Sequence, residues 1–389
     1  MKSYAPYLIL LPALGPLVYY CLALVAGFDY LRALKKLPPF DRSFAPPVSI
    51  LKPVRGVDRQ AYENFASMCG LDYPEYEIVF AVGDADDPVI PIVQKLQRNF
   101  PATQIRLVVG VEYLGVSPKM NNLCRLVKEA KYELLVINDS DVRVENDYLR
   151  DVVAPFADPK VGSTTAFFRG MTEGGFAADI DAVGAPTDAS ASALVARKLG
   201  EIDFALGWSM SISKKILAEI GGFESMVNFH SDDFTLGNEV AKRGYRVELM
   251  RKPVWMVFPN ETLGKFLKHE LRWSIMLRNI RPLGYLGIFM TLGFAWLLLV
   301  ALLVPSWKIA AAYAALYLCL RLSVAWLVGV KIIGDPIVRK KLWFVPIRDA
   351  LNLGVYLASY FSNTVQWRGL PYRVRGSLLI PPPATGAKE

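Results

Sequence analysis

Four groups of residues combine types and spacing suited to chemistry. The first is Asp139 and Asp141 in LLVINDSDVRV (134–144), where an apolar run of strand length ends in Asn138 and then presents two carboxylates two positions apart. In open α/β sheets ligands collect beyond the carboxyl ends of parallel strands. A carboxylate pair there suits a hard divalent cation, Mg²⁺ or Mn²⁺, which fills its shell with phosphate oxygens. The second group, Ser117, Pro118, Lys119, Asn121 and Asn122, opens an expected helix. Helix-terminal N–H groups favour an anion, and Lys119 can neutralise a phosphate. The third is His230, Ser231, Asp232 and Asp233, ahead of a helix expected from about Phe234 to Arg243. One aspartate is placed to cap that helix, worth about 1 kcal/mol. The other is left to deprotonate an incoming alcohol near an electrophilic sugar carbon. The fourth is an acidic loop at 84–87, in which Asp84 can accept hydrogen bonds from a base or ribose.

These residues need a scaffold. Apolar strands are expected at 48–53, 76–82, 105–109 and from 134, with helices at 58–69, 89–100 and 119–130 between them. That alternation indicates a doubly wound, mostly parallel sheet. The first strand is not followed by GxGxxG, so the acidic loops fit a nucleoside diphosphate better than a dinucleotide. Segment 160–169 also reads as a strand. Segment 170–198 is rich in Gly, Ala, Ser and Asp and weakly periodic, which suggests a mobile acceptor loop or an irregular surface excursion. In FALGWSMSI (204–212), Gly207 and Ser209 leave room beside Trp208, as a sugar-site floor or simply a packed strand.

Around this domain the chain is greasy. Of 389 residues, 53% are apolar and 21% charged, too apolar a balance for an ordinary soluble protein. The uncharged stretches 4–28 and 282–307, and 309–330 with Arg321 alone, are long enough to cross a bilayer. Arg32, Lys35 and Lys36 after the first span, Arg278 and Arg281 before the second and Lys331, Arg339, Lys340 and Lys341 after the third agree on one orientation, with the central domain in the cytoplasm. The stretch 342–364, interrupted by Pro346, Arg348 and Asp349, reads as a re-entrant or interfacial segment rather than a further crossing. The organisation is thus an anchor (1–30), a proline-containing linker (31–47), a cytoplasmic catalytic domain (48–261), an amphipathic interfacial helix (262–281), two spans (282–330), the 342–364 segment and a basic tail (365–389) that frays from about Ile380. The formal charge of +8 flanks membrane segments, so lipid headgroups explain it and nucleic acid is not expected. Two histidines and four dispersed cysteines make no zinc cluster.

The ordered motifs ILKPVRG (50–56), AVGDADDP (81–88), GVSPKMNNL (115–123), NDSDVRV (138–144), SDDF (231–234) and HELRW (269–273) resemble the ceramide glucosyltransferase family. With VQWRG (365–369), they also resemble the bacterial hopanoid-associated glycosyltransferases. The resemblance implies a GT-A-like fold between N- and C-terminal transmembrane helices. It implies an inverting, metal-dependent transferase that moves a sugar, glucose first, from a UDP-sugar to the hydroxyl of a membrane lipid, at a bacterial inner membrane. The alternative is a UDP-N-acetylglucosamine-dependent enzyme acting on a hopanoid or diacylglycerol. Site by site, it implies that Asp84 contacts the uridine nucleotide and that Asp139, with Asp141, belongs to the metal and diphosphate site beside Lys119. It also implies that Asp233 is the base and that Arg272 and Trp273 close the donor-side motif. His269 stands where Gln or Arg is usual, and with Gly207, Trp208 and Ser209 it is a candidate for the sugar or acceptor pocket. Asp141 makes a fuller acidic pair than the eukaryotic members have.

Overall fold

The computed structural model describes residues 5–110, 112–200, 202–367 and 370–382. The chain forms two compact units: a helical one (1–36, 172–199 and 258–389) and an α/β one (37–171 and 200–257). The helical unit opens with α1 (Leu14–Lys36).

The α/β unit runs β1 (Val48–Pro53), α2 (Ala61–Ala66), β2 (Tyr76–Val82), α3 (Ile90–Asn99), β3 (Gln104–Val109), α4 (Pro118–Glu129), β4 (Leu134–Asn138), β5 (Val142–Arg143), α5 (Tyr148–Val153), β6 (Val161–Thr165) and β7 (Phe168–Thr172). The chain leaves through α6 (Phe176–Leu199) and returns as β8 (Ser209–Ser213), α7 (Lys214–Glu219), α8 (Asp232–Lys242), β9 (Arg246–Leu249) and β10 (Val254–Phe258). Seven strands make one sheet in the order β3-β2-β1-β4-β8-β6-β9, and a small second sheet has the order β5-β10-β7. The first four strands are parallel, β8 runs antiparallel to both neighbours, and β6 and β9 are parallel again. The sheet is GT-A-like, mixed and mainly parallel.

Burial explains the strands. All six residues of β1 and all five of β4 are buried, as a parallel sheet covered on both faces requires. Leu51, Val79, Leu135, Ile137 and Ile212 pack with Met120, Leu123 and Leu126 of α4 and Leu236 and Val240 of α8. α4 begins where its caps dictate: the Ser117 hydroxyl accepts from Met120 N at 3.4 Å, and Pro118 fills the first turn, where no N–H is missed. At Gly237, in α8, a Cβ would lie 2.2 Å from Ala205 N. Gly237→Ala should therefore force backbone apart and cost about 1–3 kcal/mol. A thermal melt of the purified protein checks this, and an unchanged midpoint contradicts the close approach.

The helical unit continues with α9 (Leu263–Ile280), α10 (Pro282–Ile288), α11 (Gly293–Leu303), α12 (Trp307–Ala325), α13 (Pro336–Lys340) and α14 (Val345–Ser359), then an antiparallel sheet of β11 (Thr364–Trp367), β12 (Leu370–Arg375) and β13 (Leu378–Ile380). Among the described residues, Ala5–Lys36 and Trp307–Ile332 are long and apolar enough to cross a membrane. Glycines let this unit's elements pack closely. A Cβ at Gly27 would lie 2.8 Å from Leu327, and one at Gly293 2.6 Å from the Tyr317 ring.

Several expectations are corrected here. Segment 170–198 is neither loop nor excursion but mostly the 24-residue α6, in the helical unit. Its small residues are buried nearly all round, against α1, α12 and α14, so no amphipathic stripe exists to be read. The 282–307 span is broken: Pro282–Thr291 and Gly293–Leu303 meet at 58°. The strand expected over 204–212 begins only at Ser209. The helix expected over 58–69 is regular only in α2, after Gln60 with φ +54°. The basic tail is folded into a sheet as far as Ile380, the point from which fraying is expected. Arg368 and Gly369 of the tail motif, and 383–389 of the end expected to fray, lie outside the described residues.

Candidate active site

The strand order reverses at β1, with β2 on one side and β4 on the other. Asp84 follows β2 by two residues and Asp139 follows β4 by one, so both sit on the carboxyl edge flanking β1. With one strand between them, their strands are about 10 Å apart.

Lys119, near the start of α4, joins two of the acidic groups. Its Nζ lies 2.7 Å from Asp139 Oδ1 and 2.8 Å from Asp232 Oδ2. Burial pulls its pKa down, but the two carboxylates win and hold the ammonium above its ordinary value. Asp232 and Asp233 form the first turn of α8. Ser231 is the residue at the cap, so neither aspartate takes the capping position expected of one of them. Asp233 Oδ1 accepts from Phe234 N at 2.7 Å. Burial and the neighbouring Asp232 charge push the Asp233 carboxyl up to about 7. A Cβ at Gly207 would lie 2.9 Å from Asp233 Oδ2, so the glycine keeps that oxygen clear.

Asp141 is mostly buried, and its Oδ1 has no hydrogen-bond partner among the described residues. Burial and the charges of Asp139 and Asp58 raise its carboxyl to about 7. A buried unpaired oxygen beside two other carboxylates is the environment a divalent cation relieves, so Asp139 and Asp141 fit a hard metal ion.

Two contributors escaped sequence reading. Lys52, within β1, is fully buried, and its Nζ donates to the Asp139 carbonyl at 2.5 Å. Burial brings its pKa down to about 8 against the pull of Asp139, Asp141 and Asp58. A lone lysine inside an apolar strand was the available signal. Asp58, which accepts a hydrogen bond from the Ser140 hydroxyl, carried none.

Other candidates take distinct places. Asp84 is half exposed, 3.9 Å from Arg55 Nη2 and 3.4 Å from the Tyr113 hydroxyl. Trp208 packs on Phe168 with ring centroids 4.0 Å apart, and its carbonyl accepts from Asp139 N at 3.4 Å. Ser209 is fully buried, its hydroxyl 2.6 Å from that of Tyr148, so it braces the sheet rather than lining a pocket.

His269, Arg272 and Trp273 belong to α9, in the helical unit. The Trp273 indole donates to His269 Nε2 at 3.0 Å. Burial, with the charges of Arg272 and Arg348, brings the His269 pKa down to about 4, so the ring is neutral near pH 7. His269, Glu270 and Asp181 offer ligand atoms within 4.8 Å of one another. Arg348 is paired with Glu270, however, and the indole occupies His269 Nε2, so this trio suits a cation poorly.

The sequence matches the family described as Glycosyl transferase family 21 over residues 10–379. Ceramide glucosyltransferase 3 of Caenorhabditis elegans is 28% identical over 234 residues, 59% of this chain and 50% of that protein. The ceramide glucosyltransferase of Komagataella phaffii is 31% identical over 134 residues, 32% of this chain and 26% of that one. The chain thus spans half or less of the length of these curated relatives. A mannosyltransferase from Pyrobaculum calidifontis, solved in complex with GDP-Man and Mn²⁺, superposes with a TM-score of 0.53 at 20% identity, over 85% of this chain and 99% of that one. The likeness is one of fold.

Proposed function

The chain belongs to glycosyl transferase family 21, and from that premise we propose that it transfers glucose from UDP-glucose to the hydroxyl of a membrane lipid with inversion. The observation that carries the reading is Lys119, tied to Asp139 and Asp232 beside the carboxyl of Asp233 on one sheet edge. The ceramide glucosyltransferases among its relatives favour ceramide as the acceptor. The spans and the basic residues at their ends favour a site facing the cytoplasm.

Asp84 receives the uridine through base or ribose hydrogen bonds. Lys119 balances the charge that grows on the diphosphate as the bond from the anomeric carbon to the UDP oxygen breaks. Asp233 accepts the proton of the lipid hydroxyl as its oxygen attacks from the opposite face. Asp139 and Asp141 would hold Mg²⁺ or Mn²⁺, which when bound supplies further positive charge to the leaving group.

Incubating the full chain in lipid with UDP-glucose, UDP-N-acetylglucosamine, ceramide and diacylglycerol, then identifying products by mass, tests the reading. Glucosylceramide is the expected product. Transfer from a lipid-phosphate sugar with none from either nucleotide overturns it. Chelation with EDTA should abolish transfer, with Mg²⁺ or Mn²⁺ restoring it, and full activity after chelation removes the metal assignment.

A base must be unprotonated to work. With Asp233 near 7, kcat/KM should rise with pH through that value and fall about tenfold per unit below it. An acid limb near pH 4 would assign the proton transfer to an unperturbed carboxylate instead.

A further inference from the structure

The helical unit contains a cavity of about 420 Å³, within the size range of small-ligand sites. Its walls differ in character. One is apolar and aromatic, formed by Leu277, Ile288, Val355 and Tyr356. The other is charged and centred on Arg321, in the span containing α12, whose side chain is 3% exposed. A buried charge within a span is costly and marks a functional place.

That charge is over-matched. Arg321 Nη2 lies 3.0 Å from Asp349 Oδ1 and also pairs with Asp188. Tyr317 donates to Asp349 at 2.6 Å, and Asn352 donates to Asp188 at 3.0 Å. Arg348 pairs with Glu270, which also lines the cavity, and its Nε is 3.9 Å from Asp188. Two guanidinium groups thus face three carboxylates. The Asp188 side chain remains 32% exposed despite its partners. Carboxylates only accept hydrogen bonds, so what completes this wall must donate them. Both cations are already committed, and an anionic headgroup would meet the excess negative charge.

We infer that this cavity binds the polar head of an uncharged lipid, whose hydroxyl and amide donors meet Asp188 while its chains pass along Leu277, Ile288 and Val355. The volume suits a head and the first part of its chains, the remainder lying in the bilayer. The binding claim stands on the cavity alone. That the bound lipid is also the acceptor rests on the function proposed above.

The test uses the full chain in nanodiscs and a ceramide carrying a diazirine beside its amide, with cross-linked peptides mapped by mass. Labels should concentrate on the cavity-lining parts of α6, α9 and α14. Unlabelled ceramide or diacylglycerol should displace them, and phosphatidic acid and phosphatidylethanolamine should not. Asp188→Asn should weaken ceramide labelling about tenfold, the loss of one hydrogen bond to a charged group, and let phosphatidic acid compete. Leu277→Trp, at a 41% exposed position that tolerates bulk, should reduce labelling for every lipid by narrowing the cavity. Labels spread evenly over all the membrane helices, or displaced equally by phosphatidic acid, overturn the inference even if Asp188→Asn fails to fold. UDP-sugar turnover is measured alongside. Cavity labelling without turnover rejects the proposed function and keeps the cavity, whereas turnover without cavity labelling does the reverse.

Discussion

Asp233→Asn should lower turnover by about 10²–10⁴-fold, the usual worth of a positioned general base. Asparagine keeps the shape that Gly207 accommodates and an oxygen for the Phe234 N–H, so α8 should still form. Donor affinity should change little, because the nucleotide contacts are assigned to Asp84 and to the Lys119 group. Single-turnover kinetics with separately measured UDP binding distinguishes these effects. Near-native turnover in a folded Asp233→Asn protein would remove Asp233 from the reaction. Asp232→Asn provides the contrast: it weakens a partner of Lys119 and should depress activity less.

Lys119→Met should reduce kcat/KM by about 10²–10³-fold, the range found when a preorganised group that stabilises developing negative charge is lost. The effect has two sources. The leaving diphosphate loses a cation, and Asp139 and Asp232 lose the ammonium that lies within 2.8 Å of each. The second source predicts that high Mg²⁺ rescues part of the loss, since a divalent ion can balance the same carboxylates. Lys119→Arg should retain more activity than Lys119→Met. Activity within twofold of wild type in Lys119→Met, across a range of Mg²⁺, would show that the ammonium serves only the fold.

Much of the α/β unit was legible because local chemistry decides it. Ser117 and Pro118 start α4 by satisfying or removing helix-end donors, and the apolar runs at 48–53 and 134–138 have no stable place except a doubly covered sheet. Each acidic loop directly follows a strand or opens a helix, so its position on the carboxyl edge followed from the alternation of elements. α6 was illegible for the opposite reason. With small residues buried on most sides, its fate depends on neighbours remote in the chain, and hydrophobic periodicity reports only helices with one wet face.

The sequence by itself determined the kinds of groups available, the strands that present Asp84 and Asp139, and the family to which the chain belongs. Tertiary structure alone decided which charges meet. Lys52 beneath Asp139, Lys119 between Asp139 and Asp232, and Arg321 against Asp188 and Asp349 join residues from 20 to 133 positions apart. Coulomb interactions depend on distance and on burial, and neither can be read from spacing along a chain until the fold has excluded water from between the charges.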